Sequence, residues 1–78
     1  MLSVEKLKEL GFIDASSDKN GLAYRKNISG MLEVCFYIGN PFLRLQSIGS
    51  GFTHNLIGVE NEHQLRAFWR LMTGNDLT

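Results

Sequence analysis

Three side chains of this sequence could be assembled into a catalytic or metal site: the thiol of Cys35 and the imidazoles of His54 and His63. A thiol and an imidazole act together only when the fold brings them within hydrogen-bonding distance, and nothing in this spacing requires it. Cys35 lies in the apolar run LEVCFYI, which predicts a buried and unreactive thiol. Two histidines without a fixed third ligand are weak evidence for zinc, and both are expected at the surface. We therefore predict no catalytic residue, no metal and no cofactor.

Short motifs with known chemistry are also missing from the sequence. It contains no G-x-S-x-G, no phosphate-binding P-loop, no H-E-x-x-H and no paired-cysteine metal site. Gly49 and Gly51, in IGSGF, resemble a phosphate-cradling loop, but such loops open a helix and a strand is predicted to follow here. Asp14 and Asp18 belong to a polar loop and are expected to act as turn residues. A small enzyme is accordingly the least favoured of three functional hypotheses.

The segment VENEHQLRAFWRLMTG, Val59 to Gly74, predicts a helix that contains two adjacent aromatic residues. Asn61 is a good N-cap, Gln64 completes a capping box, and Gly74 stands where a helix-ending glycine belongs. One side of this helix forms an apolar stripe about 100° wide, the width of a core-facing surface. The stripe consists of Leu65, Phe68, Trp69 and Met72.

Trp69 has two interpretations. The apolar stripe favours ordinary core packing for both Phe68 and Trp69. The alternative is a protein-binding surface, because Trp69 lies at the polar edge of the stripe and a half-exposed tryptophan among arginines is typical of an interface anchor. This surface would consist of Trp69, Arg66, Arg70 and Leu71.

A second candidate surface, for nucleic acid, combines aromatic and basic residues of the predicted strands. It consists of Tyr24, Arg25, Lys26, Tyr37 and Arg44. Alternation along a strand, however, places Tyr24 and Arg25 on opposite faces. Eight basic residues balance eight acidic ones, so the chain lacks the net positive charge that gives nucleic-acid binders their affinity. Nucleic-acid binding is therefore the alternative hypothesis and not the leading one.

The elements that position these residues predict a single α+β domain over residues 1–78. Ser3 caps a first short helix, Gly11 follows its end, and a polar loop runs from Asp14 to Gly21. Four strands come next in close succession, over residues 22–28, 31–38, 42–48 and 52–59, before the closing helix. Turns this short join antiparallel neighbours, so we predict a four-stranded meander with both helices packed on one face.

The strand MLEVCFYI predicts which side of the sheet is buried. Its alternation places Val34 and Phe36 on one face and Glu33 and Cys35 on the other, where a buried carboxylate would need a partner. We therefore expect seven residues of the best strand and the best helix to be nearly inaccessible: Leu32, Val34, Phe36, Ile38, Leu65, Phe68 and Met72.

The segment from Val59 to Gly74 resembles the ending of many small uncharacterised proteins encoded by bacterial prophages and mobile elements. The resemblance covers only the end of the chain and rests on a strand that leads into a capped amphipathic helix ending in Thr-Gly. It implies an accessory protein that acts by binding, for example to a host factor. It transfers no catalytic or binding residue.

Composition and charge define the broad class of protein. A hydrophobic fraction of 44% and a charged fraction of 21% are typical of a globular domain. The N-terminal MLSVEKLKEL lacks the apolar region of a signal peptide and no apolar run could span a bilayer, so we expect a cytoplasmic protein without a membrane partner. The leading hypothesis is a non-enzymatic protein–protein interaction module, which binds a protein partner or a second copy of itself as a homodimer.

Overall fold

The computed structural model describes residues 2–19 and 21–77, which form two helices and a five-stranded sheet. The helices are α1 (Val4–Glu9) and α2 (Glu62–Thr73). The strands are β1 (Ile13–Asp14), β2 (Ala23–Ser29), β3 (Leu32–Tyr37), β4 (Leu43–Ser47) and β5 (Thr53–Leu56). They pair with antiparallel neighbours and follow one another across the sheet in chain order. The α+β class predicted from the sequence is confirmed.

β1 is a strand that the sequence did not predict. Asp14 was expected to begin a polar loop, but Ile13 and Asp14 pair with Arg25 and Tyr24 of β2. Two residues are too few to show an alternating pattern, so this strand exists only because β2 lies beside it. The sheet therefore has five strands where the sequence predicted four.

Both helices use the capping residues that the sequence indicates. The Ser3 hydroxyl accepts the backbone N–H of Lys6 at 3.1 Å, and Asn61 Oδ1 accepts the N–H of Gln64 at 2.8 Å. Gly74 ends α2 with a φ of 75°, the left-handed conformation in which a Cβ is disfavoured. These caps confirm the predicted ends of the helices. The predicted capping box is wrong in one half, because Gln64 Oε1 accepts the N–H of Glu60 and not that of the N-cap Asn61.

The strand register divides the sheet into two faces. The helix-facing side carries four side chains that form one buried cluster with residues of both helices: Tyr24, Val34, Leu43 and Leu56. The opposite side, called the polar face below, has a row of register partners across four strands. These partners are Arg25, Cys35, Arg44 and Asn55.

The predicted core is correct at its centre and wrong at its ends. Val34 and Leu65 are fully buried, as expected. Ile38 is 57% exposed and Met72 is 40% exposed, so the expectation of burial is wrong for both. Ile38 lies just beyond the end of β3, and Met72 lies in the last turn of α2. The other three predicted core residues are half-buried: Leu32, Phe36 and Phe68.

Candidate functional site

Trp69, the residue considered as an anchor for a partner, lies in the protein core. It is 5% exposed and belongs to the same buried cluster as Leu65, one helical turn away. α2 packs against β2, and the Lys26 ammonium lies 5.6 Å from the centre of the Trp69 ring. The core-facing line of α2 therefore passes through Leu65 and Trp69, while Phe68 is half-buried and Met72 is exposed. The structure assigns Trp69 to core packing, so an exposed indole is not available to a partner.

The other three residues of the predicted surface are exposed, and two of them take part in ion pairs. Arg66 donates from Nε to the Glu62 carboxylate at 2.8 Å, and Arg70 is paired with the Asp76 carboxylate. Leu71 is 84% exposed, which makes it the one member of the predicted set with an accessible apolar side chain. A single exposed leucine on a helix needs no functional explanation.

An apolar cavity of about 320 Å³ lies on the helix-facing side, toward β4 and β5. It is lined by Leu2, Phe36, Pro41, Phe42, Leu43, Val59 and Glu60. Leu43 is buried, whereas Phe36, Phe42 and Val59 are only half-buried. The cavity therefore combines a buried aliphatic residue with apolar walls that solvent can reach. Glu60 is the one residue with a charged side chain among the described residues that line the cavity.

Local hydrogen bonds hold the two loops that carry the cavity walls. Asn40 Oδ1 accepts the backbone N–H of Phe42 at 3.2 Å, which fixes the turn between β3 and β4. The backbone N–H of Glu60 donates to Gln64 Oε1 at 2.8 Å and ties the cavity rim to the first turn of α2. Because both contacts are local, the cavity walls are positioned before any ligand binds. The Asn40 side-chain nitrogen is buried and has no hydrogen-bond partner among the described residues.

The structure separates the five residues considered for nucleic-acid binding. Tyr24 is buried in the core, and the Lys26 ammonium donates to the carbonyl of Leu10 at 3.0 Å. Both lie on the helix-facing side of β2, because alternate residues of a strand face opposite sides. Neither belongs to an exposed basic surface. The residues that share the polar face are Arg25, Tyr37 and Arg44.

A hydrogen-bonded network on the polar face accounts for the burial of Glu33. Its side chain is 5% exposed, and its two oxygens accept from Arg25 Nη1 at 3.2 Å and from Gln46 Nε2 at 2.8 Å. The Tyr37 hydroxyl donates to Gln46 Oε1 at 3.2 Å, and the Arg44 guanidinium lies 5.4 Å from the Tyr37 ring centre. A buried carboxylate at this position was expected to need a partner. Arg25 and Gln46 are the partners of Glu33.

Cys35 lies in the middle of the polar face and is almost completely buried. Its register partners on either side are Arg25 and Arg44, and Glu33 is two residues away on the same strand. Burial, with a further contribution from the Glu33 carboxylate, raises the pKa of the thiol to about 12. The thiolate is the reactive form of cysteine, so this side chain is not a nucleophile near neutral pH.

Comparison of the chain with models of protein families, with curated proteins and with solved structures finds no match. Within residues 2–19 and 21–77, no group of three or more His, Cys, Asp or Glu side chains could hold a metal ion. In the same part of the chain, no helix combines the length and the apolar character needed to cross a bilayer. The apolar cavity is the candidate binding site that we consider below.

Proposed function

We propose that this protein is a non-enzymatic binding module whose apolar cavity receives a large apolar side chain of a protein partner. The observation that carries the proposal is the cavity itself, with its two phenylalanine walls, Phe36 and Phe42, and its half-buried Val59. Its volume of about 320 Å³ is at the lower end for small-molecule sites, which run from about 300 Å³ upward. A cavity of about 150 Å³ already holds a benzene ring, so this site has room for one large aromatic or aliphatic side chain together with part of its backbone.

The physical basis is removal of apolar surface from water on both sides of the contact. Burying one large apolar side chain contributes about 1.5–3 kcal/mol, and a well-placed anchor residue can supply 2 kcal/mol or more of binding free energy. Phe36, Phe42 and Val59 already lie partly exposed at the cavity, so an incoming side chain would complete their burial. The Glu60 carboxylate at the same cavity favours a partner that carries a basic residue next to its anchor.

Large apolar side chains exposed to solvent also occur outside the cavity, on β1, on α2 and in the connecting segments. They are Ile13, Met31, Ile38, Ile48, Phe52, Ile57, Leu71 and Met72. Single exposed residues of this kind are normal on a protein surface, so the proposal does not depend on them. We infer the same class of function, an accessory protein acting by binding in the cytoplasm, from the resemblance of the chain's ending to prophage and mobile-element proteins.

Selection from a library of displayed peptides, with the whole chain as bait, tests the proposal. We expect the enriched peptides to share one aromatic or large aliphatic residue. Their affinity, measured by calorimetry, should fall at least tenfold for Val59→Glu, which places a charge in the apolar cavity wall. The matched control is Leu71→Glu, which introduces the same charge at an exposed position on α2 and should leave the affinity unchanged.

Two outcomes would contradict the proposal. One is the absence of any enriched peptide. The other is a set of peptides that binds Val59→Glu and the wild-type chain equally well. Circular dichroism of both variants verifies that any loss of binding is not a loss of folding.

A second candidate function, nucleic-acid binding, is favoured by one observation. Arg25, Tyr37 and Arg44 lie together on the polar face. The Glu33 carboxylate pairs with Arg25, however, which reduces the positive charge offered to a phosphate. Fluorescence anisotropy with single-stranded RNA and DNA tests this alternative: salt-dependent binding that weakens in Arg44→Gln would support it, and absence of binding at low salt would exclude it.

A further inference from the structure

The outer side of β5 presents unpaired backbone to solvent. β5 is at one edge of the sheet, with β4 on one side and no further strand of the described residues on the other. The Ser47 N–H donates to the Phe52 carbonyl at 2.9 Å. This bond identifies Ser47 and Phe52 as a hydrogen-bonded pair, and it shows which residues of β5 bond to β4. In an antiparallel ladder, alternate residues bond to the neighbouring strand, so the N–H and C=O groups of Thr53 and Asn55 point outward. Both residues are exposed.

The opposite edge of the sheet is protected against pairing with another chain. β1 has only two residues, Ile13 and Asp14. Ala15 donates to the Ala23 carbonyl at 2.8 Å, so by the same alternation Asp14 is the residue of β1 whose backbone faces outward. A short edge strand and a charged side chain are two of the features that prevent edge-to-edge association of native sheets.

β5 has four residues, twice as many as β1, and carries no carboxylate, lysine or arginine. From Leu45 to Val59 the chain contains no Asp, Glu, Lys, Arg or Pro. The register between β4 and β5 runs without a bulge from Leu43 and Leu56 to Gln46 and Thr53. Two half-exposed apolar residues, Phe52 and Ile57, immediately flank the strand. An uncharged, regular edge with apolar ends is a surface suited to pairing with another strand.

We propose that β5 pairs antiparallel with β5 of a second copy of this chain and joins two sheets into one. This inference rests on the proposed function, a module that acts by binding, and names one of its partners as the protein itself. A second copy fits because its edge likewise carries no Asp, Glu, Lys or Arg, so the pairing brings together no two carboxylates and no two Lys or Arg side chains. Pairing through backbone groups also requires no complementary side chains.

One register satisfies all outward backbone groups of β5. With His54 opposite His54 of the second copy, Thr53 of each chain lies opposite Asn55 of the other, and each pair exchanges its N–H and C=O groups. A shift of the register by one residue would place residues whose backbone groups already bond to β4 at the seam, the contact between the two β5 strands. A slip of two residues would leave Thr53 or Asn55 opposite a residue outside β5.

The same register gives the exposed phenylalanine a partner. Phe52 would lie opposite Leu56 of the second copy, on the helix-facing side of the joined sheet. Leu56 is already part of the buried cluster, so Phe52 of each chain would extend the core of the other. Phe52 is half-exposed in the single chain, and the proposed pairing would bury its apolar side chain.

Sedimentation equilibrium of the whole chain, from low micromolar to near-millimolar concentration, tests the proposal. We expect the wild-type chain to approach twice its monomer mass of 8.8 kDa. Asn55→Pro removes an outward N–H without removing a bond to β4, and Asn55→Lys adds a charge to the edge. Both should remain monomeric over the same range. Leu71→Lys, the matched charge control on α2, should still dimerise.

Amide hydrogen exchange followed by NMR locates the seam. The N–H groups of Thr53 and Asn55 should exchange slowly at high concentration and at least tenfold faster in dilute solution or in Asn55→Lys. A wild-type chain that stays monomeric, edge variants that still dimerise, or concentration-independent exchange at these two amides would each overturn the proposal. Because these measurements contain no peptide, their failure is distinguishable from a failure of the cavity to bind.

Discussion

The two halves of the helix-facing side of the sheet differ in how completely they are buried. Over β2, residues of α1 and α2 such as Leu7, Leu65 and Trp69 are sealed in the core. At the end of the sheet formed by the β3–β4 turn and the segment after β5, the residues Phe36, Phe42 and Val59 stay half-buried around an apolar cavity. We call these the closed half and the open half. The binding surface that we propose is the half-buried apolar surface of the open half.

Different aromatic residues are buried in the core and exposed at the cavity, and only the second group takes part in the binding that we propose. Trp69, the largest apolar side chain of α2, contributes to stability in the closed half. Phe36 and Phe42, which sequence patterns do not distinguish from core residues, form the accessible walls in the open half. Substitutions in the closed half should therefore affect folding, while those in the open half should affect binding.

The largest effect is expected for Trp69→Ala. Truncation of a nearly buried indole leaves a cavity and should lower the free energy of unfolding by about 3–5 kcal/mol, enough to unfold much of so small a domain. Urea unfolding followed by circular dichroism measures this change. Leu71→Ala is the control, because Leu71 is 84% exposed and its truncation should be nearly neutral. A loss below about 1 kcal/mol at Trp69 would remove the distinction between the two halves.

A smaller effect is expected for Phe42→Ala in the open half. Since Phe42 is only half-buried beside an existing cavity, we expect a loss of about 1–2 kcal/mol, less than a fully buried phenylalanine would cost. The same urea experiment compares it directly with Trp69→Ala. Equal losses at the two positions would mean that the open half is as much a part of the core as the closed half.

Gly74→Ala should destabilise the protein by about 1 kcal/mol. The glycine has a φ of 75°, and a Cβ is disfavoured in this left-handed conformation. No atom of the described residues, apart from the two chain neighbours, would lie within 4 Å of the added methyl group, so the backbone conformation is the expected cause. Thermal unfolding measures the effect, with Leu71→Ala as the control because Leu71 is 84% exposed. An unchanged midpoint would indicate that α2 ends differently in solution.

The smallest effect is expected from an ion pair that joins the two helices of the closed half. Hydrogen bonds from Arg66 and Lys6 lower the pKa of the Glu62 carboxyl below its ordinary value of 4.5. A lowered pKa contributes stability above the ordinary value, and this contribution is lost as the pH falls through the lower folded value. In Glu62→Gln, the free energy of unfolding should therefore fall slightly less than in the wild-type chain as the pH is lowered. Urea unfolding from pH 6 to pH 3 measures this difference. A profile unchanged by the substitution would show that the pair contributes nothing.

Local signals allowed much of the fold to be predicted. The caps at Ser3 and Asn61, the glycine at Gly74 and the short turns each depend on neighbouring residues alone. They correctly predicted two helices, antiparallel strands and the α+β class. β1 escaped prediction because a two-residue strand has no pattern of its own.

The candidate site depended on information that one segment cannot carry. The 100°-wide stripe on α2 did not decide whether Trp69 or Met72 faces the core, since that depends on how the helix packs on β2. Glu33 could be buried because Arg25 and Gln46 reach it from neighbouring strands. The cavity brings together Leu2, Phe36 and Val59, which are remote from one another in sequence. Each of these facts requires the strand register and the helix packing.

NMR titration of the ¹⁵N-labelled chain with a selected peptide tests directly whether the apolar cavity is the binding site. We expect the amide signals that move on titration to belong to the open half, above all to Phe36, Phe42 and Val59. Signals of α2 around Leu71 should stay in place. Val59→Glu should abolish these shifts in a chain that remains folded. Shifts centred on Leu71 or on the polar face around Cys35 would contradict the assignment of the cavity as the binding site.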